Sequence, residues 1–201
     1  MLTTGIATFG HTFTEMFFQG LNHLFMKVKS GILDQMMVRP RNMLFQVICS
    51  DFQMNKVGRL IESIALIIYG VLNVNITWTF YKVLVFVLII LGVNILFTAL
   101  LILKAAFCFW TIEGMEIMNI LQDGGREVSS YPIPIYKDWF AKFFTFVIPF
   151  AMINYYPLTY LLEKDNAPFW YGFAPILTVP VLLAMIGVWK IGLKNYKSTG
   201  S

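Results

Sequence analysis

Charged residues punctuate this chain so sparsely that its apolar runs can be read as the gaps between them. Four gaps stand out: residues 63–81 between Glu62 and Lys82, 83–103 between Lys82 and Lys104, 143–162 between Lys142 and Glu163, and 166–189 between Asp165 and Lys190. Each approximates the ~20 residues that a helix rising about 1.5 Å per residue needs to cross a hydrocarbon core of ~30 Å. The first two gaps meet at a predicted tight turn around Asn73-Val74-Asn75-Ile76-Thr77-Trp78, and the last two at the polar, aromatic-flanked stretch 163–172. The pattern predicts an all-α fold, a polytopic membrane helix bundle of two helical hairpins. Residues 1–14 are also free of charge, but they are short, rich in Thr and Gly, and interrupted by Glu15. They read as the end of a membrane helix whose beginning is missing, or as an interfacial amphipathic helix. The expectation is four clear spans plus a partial one at the N-terminus.

Orientation follows from the basic residues. With segments 15–59, 104–142 and 190–201 on one face, that face holds 13 of the 15 Lys and Arg, leaving only Lys82 and Lys164 opposite. The positive-inside rule places the larger loops and the C-terminus in the cytoplasm. The chain then divides, as one transmembrane domain over 1–201, into a partial span or interfacial helix (1–26), a cytoplasmic segment (27–59), a helical hairpin (60–110), a second cytoplasmic segment (111–138), a second hairpin (139–193) and a cytoplasmic tail (194–201). In the first cytoplasmic segment Pro40 breaks any helix and biases Arg39 toward extended backbone. After it, Leu44, Ile48 and Phe52 with Val47 predict a short amphipathic helix lying against membrane or a partner. The second segment begins as a helix carrying Glu113, Glu116 and Asp123, stops at Gly124-Gly125, and continues as an extended Tyr131-Pro132-Ile133-Pro134-Ile135-Tyr136 re-entry.

Composition agrees. The chain is 58% hydrophobic and 13% charged, against roughly 25% charged for an ordinary soluble domain. The net charge of +4 has no soluble domain to carry a basic face, so nucleic acid is not expected as a partner. Cys49 and Cys108 lack metal-ligand spacing and read as buried thiols. His11 and His23 read as polar surface residues. The sequence holds no Walker A motif, dinucleotide loop, H-E-x-x-H or G-x-S-x-G, so no catalytic residue, cofactor or metal is expected, and the chain is not read as an enzyme. Three polar residues are candidates for a translocation path or for helix packing. Glu62 lies near the start of a span and three positions after Arg59, the spacing of a helical ion pair. Asn94 and Asn154 lie deeper, where an amide bonds a neighbouring helix or a substrate. Pro149, Pro157, Pro175 and Pro180 bend or interrupt the last two spans.

Several strings resemble the ABC-2 family permeases of uncharacterised bacterial exporters: Gly31-Ile32-Leu33-Asp34, Arg39-Pro40, Ser50-Asp51-Phe52, Gly58-Arg59-Leu60, the run 131–136, Phe146-Val147-Ile148-Pro149-Phe150-Ala151, Asn154-Tyr155-Tyr156-Pro157, and the ending 189–201. The resemblance spans nearly the whole chain, but relative to the family's six spans it departs at the N-terminus, where the first span and part of the second are missing. It implies a permease subunit of an exporter in the bacterial plasma membrane, multi-pass, with a cytoplasmic C-terminus. Its implied partners are a second permease subunit, identical or homologous, and a separate ATP-binding cassette subunit that docks on segment 27–59 at Asp34, Arg39, Pro40 and Arg41. An ion- or proton-coupled carrier or channel is the alternative, requiring buried ionisable groups on the pathway.

Overall fold

The computed structural model describes residues 1–74, 76–110, 123, 124, 126, 149–163 and 167–196, and among these every regular element is helical. Helix α1 spans Leu2–Phe17, and three short helices, α2 (Gln19–Asn22), α3 (Leu24–Lys29) and α4 (Ile32–Met37), follow it. Then come α5 (Met43–Ile48), a 3-10 turn at Met54–Lys56, α6 (Val57–Leu72) and α7 (Phe80–Phe107). Further along the chain, α8 (Phe150–Ile153) and α9 (Tyr155–Leu161) lead to a 3-10 helix, Phe169–Leu177, that continues directly as α10 (Thr178–Asn195).

Among the described residues two helical runs are long and apolar enough to cross a membrane, α7 and the continuous run Phe169–Asn195. They account for two of the four expected spans. The first expected span, 63–81, is instead the 16-residue α6, shifted toward the N-terminus. Charged Arg59 and Glu62 do not end this helix but ride on its exposed face, since long charged side chains on a terminal turn keep their heads in water. Asn73 stops it, its Nδ2 donating to the Tyr69 carbonyl at 2.8 Å, and the predicted turn follows. In the third expected span the described part is broken at Asn154 between α8 and α9, and residues 143–148 lie outside the described residues. Pro157 and Pro180 fall in the first turns of α9 and α10, where a helix has no N–H to lose. The run changes from 3-10 to α at Thr178, three residues after Pro175, and the Pro175 carbonyl accepts from Thr178 Oγ1 at 2.7 Å. In segment 111–138 Asp123, Gly124 and Arg126 are helical, so helical backbone is present on both sides of the stop expected at Gly124-Gly125; the proline-spaced stretch 131–136 lies outside the described residues.

Helix α7 is the axis of the bundle, and small residues set the directions of its neighbours. A side chain at Gly70 would strike Leu2, and one at Gly5 would strike Ile67, so α1 and α6 run antiparallel. Gly10 faces Val93 and the His11 ring meets Phe97 at 5.4 Å, so α1 runs parallel to α7. Gly172 faces Val85, Gly92 faces Pro175 and Gly192 faces the Ala106 carbonyl, so the 169–195 run is parallel to α7 as well. Helix α1 is therefore a packed member of the bundle, with Leu2 and Ile6 in its core.

Two apolar clusters divide the bundle lengthwise. One joins Leu2 and Ile6 to Val85, Ile89, Val93, Phe97, Phe150 and Leu158. The other joins Leu101, Ile102, Ala105 and Trp189 to Leu21, Leu24, Leu33, Met43 and Val47, which come from the short helices α2–α5. Segment 19–48 thus folds over one end of the bundle as a cap, and the last turns of α10 share that end.

Candidate functional site

The cap is fastened by one polar network that the spacing of residues in sequence did not reveal. Lys27, buried at the end of α3, donates to the Asp51 carboxylate at 2.5 Å, to Ser50 Oγ and, at 3.5 Å, to the Gly20 carbonyl. Ser50 Oγ in turn donates to the Val47 carbonyl at 2.6 Å. His23 Nδ1 stands 3.7 Å from Asp51, and its other nitrogen is 3.0 Å from the Gln19 amide. Partial burial raises the Asp51 carboxyl, but the Lys27 hydrogen bond and charge, with His23 and Ser50, outweigh it and hold the carboxyl below its ordinary value. This close approach requires Gly20, because an added Cβ would lie 1.8 Å from the Val47 carbonyl oxygen.

Above this network, α4 and α5 form a hairpin-like tip. Asn42 caps α5, its Oδ1 accepting from the backbone of Leu44 at 3.0 Å and of Phe45 at 3.4 Å. Gln46 Nε2 donates to the carbonyls of Met36 (3.3 Å) and Arg41 (3.1 Å), tying the turn between the helices to α5. Arg39, Pro40 and Arg41 lie exposed on that turn beside exposed Val38 and Phe45. Pro40 breaks the helix as expected. The amphipathic helix, however, turns Met43 and Val47 onto the chain's own bundle, with Leu44 and Ile48 partly buried beside them, rather than toward membrane or a partner. Phe45 is the aromatic it leaves outward, and Phe52, expected on the same helix, lies beyond its end at Ile48 and is exposed.

Asp34 is set apart from Arg39, Pro40 and Arg41. It sits partly buried in the first turn of α4 beside Tyr196, whose phenol is pushed up by burial and by the Asp34 charge. Glu62 is exposed on α6, and among the described residues no ion pair joins it to Arg59. Asn94 returns its amide to its own helix, Nδ2 donating to the Ile90 carbonyl at 2.6 Å, while its Oδ1 is buried without a hydrogen-bond partner. Asn154 is buried at the break between α8 and α9.

Two histidine and cysteine readings change. His11 is not a surface residue but 1% exposed, with Nδ1 3.5 Å from Glu15 and Nε2 3.4 Å from Asp123. Glu15 also pairs with Lys56 at 2.8 Å, which clamps the end of α1 to the start of α6. The spacing of His11 and Glu15, one helical turn, was the legible signal. Cys49 is exposed, whereas Cys108 is buried and its thiol is pushed up to about 11 by that burial.

At the opposite end of the bundle Lys82 and Glu163 form an ion pair that Thr77 completes. The Lys82 ammonium donates to Thr77 Oγ1 at 2.6 Å and to Glu163, and Thr77 Oγ1 donates to the same carboxylate at 2.9 Å. The Lys82 hydrogen bond, then that from Thr77, hold the Glu163 carboxyl below its ordinary range.

An all-helical bundle organised around two runs long and apolar enough to cross a bilayer, with a folded polar cap at one end, has the build of an integral membrane protein. Comparison then fixes the particular family: the ABC-2 family transporter protein matches residues 1–200, and the chain belongs to that family. It is a permease-type membrane component of ABC transport. Neither a curated protein nor a solved structure matches it.

Proposed function

We propose that the chain is the membrane-spanning permease subunit of an ABC exporter, working beside a second permease subunit and driven by ATP hydrolysis in a separate subunit that docks on the α3–α5 cap. The observation that carries this reading is the way the cap is built. Its outer face presents the exposed Val38-Arg39-Pro40-Arg41 turn, braced by Gln46, and its inner face buries Leu33, Met43 and Val47 against α7 and the end of α10. A push on the turn is delivered to two membrane helices through close-packed side chains, which have little slack. Contacts that differ between two arrangements of those helices then drive the change between inward-open and outward-open states. The exposed apolar faces of α6 (Ile61, Ile64, Ile68) and α10 (Val179, Leu183) are suited to lipid and to the second permease subunit. In this topology the cap and the C-terminus are cytoplasmic, in a multi-pass protein of the bacterial plasma membrane.

Reversing Arg39 and Arg41 to Glu tests the docking role. The doubly reversed chain is expected to insert and melt as wild type but to lose co-purification with its ATP-binding subunit and stimulation of ATP hydrolysis. Retention of both would overturn docking at this turn and leave the two arginines as anchors for anionic lipid. The second reading, a proton-coupled carrier, draws on buried His11 between Glu15 and Asp123. It predicts transport that survives removal of the ATP-binding subunit and stops when the proton gradient is collapsed.

A further inference from the structure

At the end of the bundle away from the cap, a cavity of about 280 Å³ opens beside the start of α7 and the end of α9, lined by Lys82, Tyr160, Glu163 and Ala167. We propose that this cavity binds the anionic head group of an amphiphile, a phosphate or carboxylate on an apolar body, and that Glu163 occupies the place of that head group while the site is empty of ligand.

The assignment rests on an asymmetry within one ion pair. Lys82 is 7% exposed, held by packing on α7, whereas the Glu163 side chain is 64% exposed and hangs from a loop. A buried ammonium with no anion is strongly disfavoured, so Lys82 requires a negative partner at all times. Among the described residues Glu163 is held there by Lys82 and Thr77 alone, and its carboxylate is well solvated outside the site. Glu163 is also, among the described residues, the non-glycine residue with a positive φ, +51°, a backbone conformation that side chains with a Cβ resist and that collects at functional positions. An incoming anion that takes over the bonds from Lys82 and Thr77 lets Glu163 leave and its backbone relax. Tyr160 and Ala167 are the lining residues that would meet an apolar body behind the head group, and Tyr160 is backed by further rings. Tyr160 packs on Phe169 at 5.9 Å, and Tyr81 meets the same ring at 6.0 Å. Gly172 allows this approach, since a Cβ there would strike Val85 at 2.7 Å and the Tyr160 ring at 3.3 Å. A water takes about 30 Å³ of liquid volume, so the cavity has space for a head group rather than for a whole lipid.

This deepens the transport reading and rests on it in taking the bound amphiphile as cargo or as a lipid at the exit; binding itself needs no motor. The test is therefore made on the whole chain in phosphatidylcholine nanodiscs, without the ATP-binding subunit, by titrating dodecyl phosphate and, separately, inorganic phosphate. Glu163→Gln is expected to tighten dodecyl phosphate roughly two- to fivefold, the competition that a partly exposed ion pair exerts. Lys82→Gln is expected to weaken it more than tenfold, and Lys82→Arg to restore it. Repeating the titration in nanodiscs containing phosphatidic acid identifies the source. Loss of added dodecyl phosphate binding there assigns the site to a membrane lipid, and persistence assigns it to a soluble amphiphile. If Glu163→Gln leaves binding unchanged, or if inorganic phosphate binds as well as dodecyl phosphate, the proposal is overturned. Should Lys82→Gln fail to fold, the exposed Glu163→Gln change decides the matter alone. Failure here leaves the docking test untouched, and failure of docking leaves this binding test untouched.

Discussion

Replacing Gly20 with alanine should loosen the cap from the bundle, and the structure sets the size of the effect. The added Cβ would lie 1.8 Å from the Val47 carbonyl oxygen and 2.5 Å from Ser50 Oγ. Contacts of a Cβ shorter than 3.0 Å are essentially never found, so α2 and α5 must separate by about 1.2 Å. Ser50 can rotate away, but the Val47 carbonyl is backbone inside α5 and cannot move without its helix. Forcing a methyl into such a contact costs about 1–3 kcal/mol, and the better helix propensity of alanine returns up to ~1 kcal/mol. The net is a loss of about 1 kcal/mol, or a fall of roughly 2–4 °C in melting temperature for a chain of this size.

Cys108 supplies a local readout of the same event. It belongs to the cluster that the cap covers, and its thiol is pushed up to about 11 by burial. At pH 7.5 its thiolate fraction is on the order of 0.03%, and release toward the ordinary value of 9.0 would raise that about 100-fold. In a Cys49→Ala background, Gly20→Ala should therefore label at Cys108 with a maleimide far faster than the parent. Gly58→Ala is the matched control, since a Cβ there meets nothing within 4 Å. If Gly20→Ala melts with Gly58→Ala and labels no faster, the contact between α2 and α5 is not what holds the cap, and the mechanical path proposed for coupling fails with it.

Two further outcomes follow from the ends of the bundle. The Asp51 carboxyl is depressed in the folded protein, so its contribution to stability is fully present above the unfolded value, near 3.8, and is lost as pH falls through the lower folded one; a melting-temperature profile from pH 6 down to about 3 should fall more steeply for wild type than for Asp51→Asn, and identical slopes would refute the pairing with Lys27. In a cysteine-free background, a membrane-impermeant maleimide applied to intact cells should label Trp170→Cys but neither Arg41→Cys nor Lys194→Cys, and the reverse pattern would invert the topology.

Local features of this fold were legible in the sequence, and long-range ones were not. The turn at Asn73, the break at Pro40 and the connection after Leu161 were readable because each is fixed by residues within a few positions of itself. The start of α6 was misplaced because a charge marks where a side chain reaches water, not where a helix begins. The sequence pattern places the apolar face of α5 on Leu44 and Ile48, whereas Met43 and Val47 are the residues most deeply buried, because the two pairs recur at the same spacing. Lys27 with Asp51, and Lys82 with Glu163, join residues 24 and 81 positions apart, and nothing in either neighbourhood names its partner. His11 was misjudged for a related reason: an isolated imidazole in a Thr- and Gly-rich helix looks solvated until Phe97 and Asp123 close over it.

These long-range pairs also explain why the two ends of the bundle are suited to different tasks. At the cap, the buried Lys27 meets a carboxylate that is itself partly enclosed and shared with Ser50 and His23, so removing Asp51 leaves a buried charge and disturbs several backbone contacts at once. Such a junction transmits displacement, because no member can leave without the others. At the far end, the equally buried Lys82 meets a carboxylate that is mostly in water on a strained residue. That junction can exchange one anion for another, because Glu163 loses little by departing. Under the proposed function a permease needs both properties, a joint that holds where the docked subunit would push and a charge that changes partners where the proposed anionic group would be bound or released. In this chain a single helix, α7, connects the two, burying Leu101 and Ala105 under the cap and carrying Lys82 at its other end.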